Sequence, residues 1–195
     1  MPDRRSAILD AAIKVIARRG VRGLRVEQVA AEAQVAVSLL YYYFDNRNGL
    51  VRATLEHANE RAATTVRTAE RGTGRDKAER SLLAELDDGD HVRDTSVVWG
   101  EVLASAVFEP ALRAQLREAS QTWSDLVAEA IAEGIADGSI RGDVDAKACA
   151  ERLTALVDGL SARWLAGLVT RERARELLAA AIARELSAEA AAQPR

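Results

Sequence analysis

The stretch Val35–Leu50, VAVSLLYYYFDNRNGL, decides how the chain folds. At about 100° per residue, Val37, Leu40, Tyr41 and Phe44 fall on one side of a short helix, and Ser38, Leu39, Tyr42 and Tyr43 on the other. The first set is a core stripe. The second exposes more aromatic and apolar surface than a solvent-facing helix of this length carries, so another surface should cover it. Two coverings are open: the body of the protein, or the major groove of a duplex, where tyrosine packs on thymine methyls or donates its hydroxyl to a phosphate or base acceptor. Upstream, Val26–Ala33 reads as a second short helix burying Val26, Val29, Ala30 and Ala33, and only Gln34-Val35-Ala36 separates the two. Helices this short and this close form a helix-turn-helix candidate. Arg47, opening the next helix, adds a cation and free helix amides that suit a phosphate.

The same helical periodicity extends outward on both sides. Ile8, Leu9, Ala12, Ile13, Val15 and Ile16 predict a first helix over roughly 4–19, ended by Gly20. From Arg47 a long helix is expected to reach about Glu70, closed by Gly72 and Gly74. Five more helical stretches follow at 75–87, 91–108, 110–137, 145–167 and 171–188, punctuated by Asp88-Gly89-Asp90, Glu109-Pro110, Asp137-Gly138, Gly142-Asp143 and Gly167 with Thr170. Pro110 suits a first helical position, and Asp145 and Thr170 suit N-caps. Residues 188–195 should fray. No run of β-branched residues alternates with period two, so the expectation is all-α with about nine helices: a three-helix head over residues 1–46 and a larger bundle over 47–195.

Charge divides along the same line. The chain of 195 residues carries a net −3, yet residues 1–50, the head with the start of the next helix, hold eight Lys/Arg against five Asp/Glu, leaving +3 there and −6 on the remainder. A basic head on an acidic body suits a polyanion, although three charges in excess carry little weight alone. Cys149 is the single cysteine, which excludes an internal disulfide or a multi-thiolate metal site and fits a reducing cytoplasm. The N-terminus has charges within its apolar residues and offers neither a leader core nor a membrane span. His57 and His91 lie far apart, no nucleophile-elbow or phosphate-loop motif occurs, and Asp87-Asp88-Asp90-His91 reads as an acidic turn. No catalytic residue, cofactor or metal is expected.

Taken together, Val35, Leu40, Tyr41, Tyr43, Phe44 and Leu50, with Arg47 for a usual lysine, resemble the end of the TetR-family DNA-binding domain, approximately V-S-x-G-x-L-Y-x-H/Y-F-x-x-K-x-x-L. Ile8–Ala12, Gly20 and Val26–Ala30 stand where that family has its first helix, its glycine and its second helix. The resemblance implies a DNA-binding regulator, expected to be a ligand-released repressor that reads a pseudopalindromic operator as a dimer. It makes Val37, Ser38 and Tyr42 base-edge readers and Tyr43 and Arg47 backbone anchors. Departures fall at Ala36, Ser38, Leu39 and Arg25: Ala36 and Arg25 replace capping hydroxyls, although Arg25 can itself reach a phosphate. Ala36 and Leu39 keep a second reading open, a helical small-molecule or protein-interaction module with weakened or lost operator binding.

Farther on, Glu109–Arg113, Ala132–Gly138, Val144-Asp145 and Leu156–Leu160 more loosely resemble the C-terminal region of the BetI-like TetR subgroup, which implies an unknown small-molecule inducer and a homodimer through the last two long helices. Ala155, Gly159, Ala162 and Ala179-Ala180-Ala181 would let helices approach closely, or would face the subunit's own core. Trp99, Leu103, Trp123 and Trp164 are the candidate ligand contacts, since aromatic faces take apolar ligands or quaternary ammonium cations; ordinary core is the competing role.

Overall fold

The structure is a computed structural model that describes residues 3–67 and 72–187, the side chains of 61–67 excepted. Among the described residues the chain forms α1 (Arg4–Gly23), α2 (Val26–Glu32), α3 (Val37–Tyr43), α4 (Arg47–Arg67), α5 (Gly74–Ala84), α6 (Asp90–Ala106), a 3-10 turn (Pro110–Leu112), α7 (Arg113–Ala136), α8 (Ala146–Leu165) and α9 (Arg171–Leu186), with no strand. The fold is therefore all-α, as the helical spacing requires. The expected end of the fourth helix near Glu70 and the fraying of 188–195 lie outside the described residues. Pro110 opens the 3-10 turn, and the side chains of Asp145 and Thr170 accept the amides of Ala148 and Arg173 as N-caps.

Packing groups the chain into two compact units, Met1–Ala62 with Gly89–Ser120, and Ala63–Asp88 with Gln121–Arg195. In the first, α1 lies along α6, α2 packs beside α1, and α3 packs beside α2. Ile8, Leu9, Ile16, Leu24, Val29, Leu40, Phe44, Leu50, Leu55, Val98 and Val102 form its core. Gly20 adopts φ 70°, ψ 168°, so α1 breaks there and continues for one more turn to Gly23. Between α2 and α3, Gln34 takes the left-handed region at φ 55°, an uncommon conformation for a residue with a side chain.

The second unit packs α5, the later part of α7, α8 and α9 around Leu82, Leu86, Val127, Ile131, Ile140, Leu153, Val157, Leu178, Ile182 and Leu186. Gly74, expected to close the fourth helix, instead begins α5. Thr73 caps that helix through a capping box with Asp76, and Asp137 Oδ2 and Ser139 Oγ accept the amides of Gly74 and Arg75 at 2.8 and 3.2 Å. The reason for glycine is steric: a Cβ on Gly74 would stand 2.0 Å from the Gly134 nitrogen and 2.6 Å from the Ala130 carbonyl oxygen. Two backbones cross here with no side chain between them. At the other end of α5, Arg171 and Arg175 of α9 donate to the Leu86 and Leu83 carbonyls, cations placed at the negative end of a helix.

Candidate nucleic-acid interface

Two turns of α3 place its side chains in three classes. Leu40 and Phe44 are buried, Val37, Leu39 and Tyr43 are half-buried against the core, and Ser38, Tyr41 and Tyr42 are exposed. Tyr42 is 79% exposed and Tyr41 54%, so the expectation that Tyr41 joins the core while Tyr43 and Leu39 face outward is corrected. The core stripe is centred on Leu40. Measured from that residue, Tyr43 lies about 60° away and Tyr41 about 100°, so Tyr43 is drawn in and Tyr41 left out. Ser38 and Tyr42, four residues apart, are farthest from the core and share the outer face.

The Tyr43 ring bridges outside and inside. It meets Tyr42 edge-on at 5.2 Å between centroids and lies 6.2 Å from Phe44, while the Arg5 guanidinium stands 5.7 Å from the Phe44 ring. This aromatic row fixes the end of α3, whose first turn has no side-chain cap at Ala36. Arg25 likewise offers no side-chain cap to α2, but it is exposed and extended at the N-terminus of that helix. Behind these elements, Asp10 of α1 lies 2.9 Å from His57 Nε2 of α4.

Arg47 occupies a different place from the one its charge suggests. Its Nε donates to the Leu24 carbonyl at 3.2 Å and its Nη2 to the Val21 carbonyl, while Nη1 reaches Asn48 Oδ1 at 3.5 Å. The guanidinium is turned inward onto backbone.

The four candidate ligand contacts divide between the units. Trp99 packs against the first core and Leu103, one helical turn on, is exposed; Trp123 and Trp164 pack against the second core. The indole N–H groups of Trp99 and Trp123 are buried without an acceptor among the described residues. On α8, Ala155, Gly159 and Ala162 are exposed, and nothing lies within 4 Å of a Cβ built on Gly159; they do not face this subunit's core. On α9, Leu177, Ala180 and Arg184 form an exposed stripe, while Ala179 and Ala181 are half-buried.

Asp87 and Asp88 pair with Arg175 and Arg171. Burial, then the nearby Asp158 and Asp87 carboxylates, pushes Glu85 up to about 7. Cys149 is fully buried, and burial together with a hydrogen bond to the Glu185 carboxylate pushes its thiol up to about 12. Glu185 itself is held below the usual range by a bidentate bond from Arg152. Among the described residues no group of His, Cys, Asp or Glu is arranged to hold a metal, and no helix is long and apolar enough to cross a membrane.

Comparison with known proteins matches two stretches of the chain. The family model of bacterial regulatory proteins of the tetR family matches residues 8–54, and that of the C-terminal region of BetI-type transcriptional repressors matches residues 74–187. The HTH-type transcriptional regulator BetI of Burkholderia mallei is 27% identical over 173 residues, 87% of this chain and 84% of the relative. Among solved structures, a TetR-family transcriptional regulator from Rhodococcus sp. superposes with a TM-score of 0.90 at 44% identity, over 96% of this chain and 100% of that one. A transcriptional regulator from Saccharomonospora viridis, solved in complex with choline, gives 0.81 at 26% identity over 95% and 98%.

Proposed function

The chain belongs to the TetR family of transcriptional regulators, with a BetI-type C-terminal region, and from that premise we propose that it is a ligand-released repressor acting as a homodimer on a pseudopalindromic operator in the cytoplasm. DNA-binding regulation is the family's role; release, dimer and site residues are our reading. The observation that carries it is the outer face of α3, where Tyr42 is 79% exposed with Ser38 one turn before it. An aromatic side chain so bare on a two-turn helix suits insertion into the major groove.

Functionally, residues 1–46 are the reading head and 47–195 the sensing and dimerising part. Ser38 and Tyr42 read base edges, with Val37 at their margin; Arg25 and Tyr43 meet the phosphate backbone. Arg47 supports the interface from behind, through the Leu24 and Val21 carbonyls. The exposed small residues of α8 and the Leu177 stripe of α9 favour pairing with a second copy, which would hold two recognition helices about 34–36 Å apart. Trp99 and Leu103 in the first unit, and Trp123 and Trp164 in the second, are proposed as ligand contacts. The buried donors of Trp99 and Trp123 suit a ligand with an acceptor, and the aromatic faces also suit a quaternary ammonium group. The choline held by the Saccharomonospora viridis regulator makes choline the first ligand to try. A coupling of roughly 1–3 kcal/mol between ligand and DNA is enough for release.

The test is selection of bound sequences from random duplex DNA by the full chain, with Tyr42→Ala beside it. We expect an inverted repeat from the unmodified protein and a blurred, weaker one from the variant, by about 1–3 kcal/mol at the contacted base. Equal losses on operator and random DNA would remove the readout role of Tyr42. No enriched motif at low salt would favour the sensor-module reading, for which uncapped Ala36 speaks.

A further inference from the structure

The turn Gly20–Leu24, the last turn of α1 after its break together with its C-cap, is gripped by two other helices. From α6, Glu101 Oε2 accepts the Val21 amide at 3.0 Å. From α4, the Arg47 guanidinium donates to the carbonyls of Val21 and Leu24. An anion thus meets the turn at an amide and a cation meets it at its carbonyls, so each charge sits at the end of the peptide dipole that attracts it and each bond is charge-assisted. Glycine is what admits the carboxylate: at φ 70° a Cβ on Gly20 would stand 2.6 Å from Glu101 Oε2. A third link comes from the same turn, where the Arg22 guanidinium stands 5.5 Å from the ring of Phe108, just past α6.

We propose that Glu101 and Arg47 form a two-sided clamp on the Gly20–Leu24 turn and act as positioning residues for DNA binding. The proposal rests on the DNA-binding reading above and deepens it. Leu24 is followed directly by Arg25, whose carbonyl accepts the amides of Gln28 and Val29 in the first turn of α2. Val21 and Leu24 are fully buried, so the turn is seated by its side chains and oriented by its backbone. The orientation of Arg25 and of α2 then follows from where α6 and α4 hold the turn. A shift of α6 relative to α4 pulls its two ends in different directions, and the head feels a displacement that touches no DNA contact. Arg47 serves the interface without spending its Nε or Nη2 on phosphate.

Four full-length variants test this: Glu101→Ala, Glu101→Gln, Arg47→Ala and Arg47→Lys. Each is measured on a labelled duplex carrying the selected inverted repeat and on a random-sequence duplex, across a salt series, with hydrogen exchange at the Val21 amide followed without DNA. We expect Glu101→Ala and Arg47→Ala to lower affinity for the repeat roughly tenfold, the scale of one charge-assisted hydrogen bond. The dependence of log affinity on log salt should keep its slope, because no phosphate contact is removed. Val21 exchange should accelerate in Glu101→Ala, and Glu101→Gln, which retains an acceptor, should recover part of both effects. Should Glu101→Ala fail to fold, Glu101→Gln carries the same comparison with smaller shifts. A slope reduced by about one unit in Arg47→Ala would make Arg47 a phosphate ligand and overturn the proposal. Unchanged Val21 exchange would refute the clamp, and accelerated exchange with undiminished affinity would refute its positioning role. If the unmodified protein binds neither duplex, the DNA-binding reading falls and with it the positioning role, while Val21 exchange still decides whether the clamp exists.

Discussion

Gly74→Ala puts the crossing of α5 and α7 to a direct test. The added methyl would lie 2.0 Å from the Gly134 nitrogen, 2.5 Å from its Cα and 2.6 Å from the Ala130 carbonyl oxygen, all backbone atoms of one helix, whereas ordinary contact begins at 3.4 Å. No rotamer change relieves this; α5 must move away from α7 as a body. Forced overpacking costs roughly 1–3 kcal/mol. The movement also pulls the Gly74 amide from Asp137, at 2.8 Å, and the Arg75 amide from Ser139, at 3.2 Å, each worth about 1 kcal/mol. The expected loss is therefore about 3–5 kcal/mol, or on the order of 10 °C in melting temperature for a chain this long. Urea and thermal melts of the full chain measure it. Gly134→Ala is the internal comparison: its methyl meets the Ile140 side chain at 2.6 and 2.8 Å and backbone only at the Arg75 nitrogen, at 3.0 Å, a milder backbone overlap than that of Gly74→Ala, so it should lose less. A Gly74→Ala variant within about 1 kcal/mol of the unmodified protein, or a Gly134→Ala variant more damaging than it, would refute the close crossing.

Gly159→Ala separates the two faces a small residue could serve. With nothing near the new methyl in the isolated subunit, helix propensity alone should raise stability by about 1 kcal/mol; if α8 pairs with a second copy, dimer dissociation measured by sedimentation should rise as well. A stabilised protein with an unaltered dimer constant would remove Gly159 from the interface. Glu85 gives a pH dependence. Its folded value, about 7, stands above the ordinary 4.5, so the native state holds the extra proton and stability falls as pH climbs from 4.5 to 7, staying low beyond. Glu85→Gln should flatten that limb and, in denaturant melts at pH 8, stabilise by on the order of 2 kcal/mol; a variant no more stable than the parent at pH 8 would contradict the burial argued for Glu85.

What the sequence disclosed was what is decided within a few residues. Asp145 and Thr170 cap helices through amides three positions on, and Gly20 breaks α1 by its own backbone freedom, so local reading found all three. Gly74 was readable as a helix punctuator but not as a helix opener, because its partner Gly134 lies sixty residues away. The outer pair Ser38 and Tyr42 was legible from helical phase, while Tyr41 and Tyr43 exchanged places because a two-turn helix leaves its core direction uncertain until Leu40 is known to lie at the centre. For Arg47 the charge was visible and the direction of the side chain was not: its acceptors are carbonyls more than twenty positions earlier. Glu101 had no local mark at all, its bond to Val21 spanning eighty residues. Ala155, Gly159 and Ala162 fit a core or a free face equally well by size, and only packing assigns them to the latter.

Cys149 turns a buried feature into a practical reporter. With the chain's single thiol fully enclosed and its proton held to about 12, a maleimide finds no thiolate to attack in the native state. Labelling can then proceed only through opening of the packing around α8 and α9, so the rate at which the protein accepts one thiol label is a clock for that opening. A cysteine added on the surface for a fluorophore would be modified selectively, with Cys149 left in place.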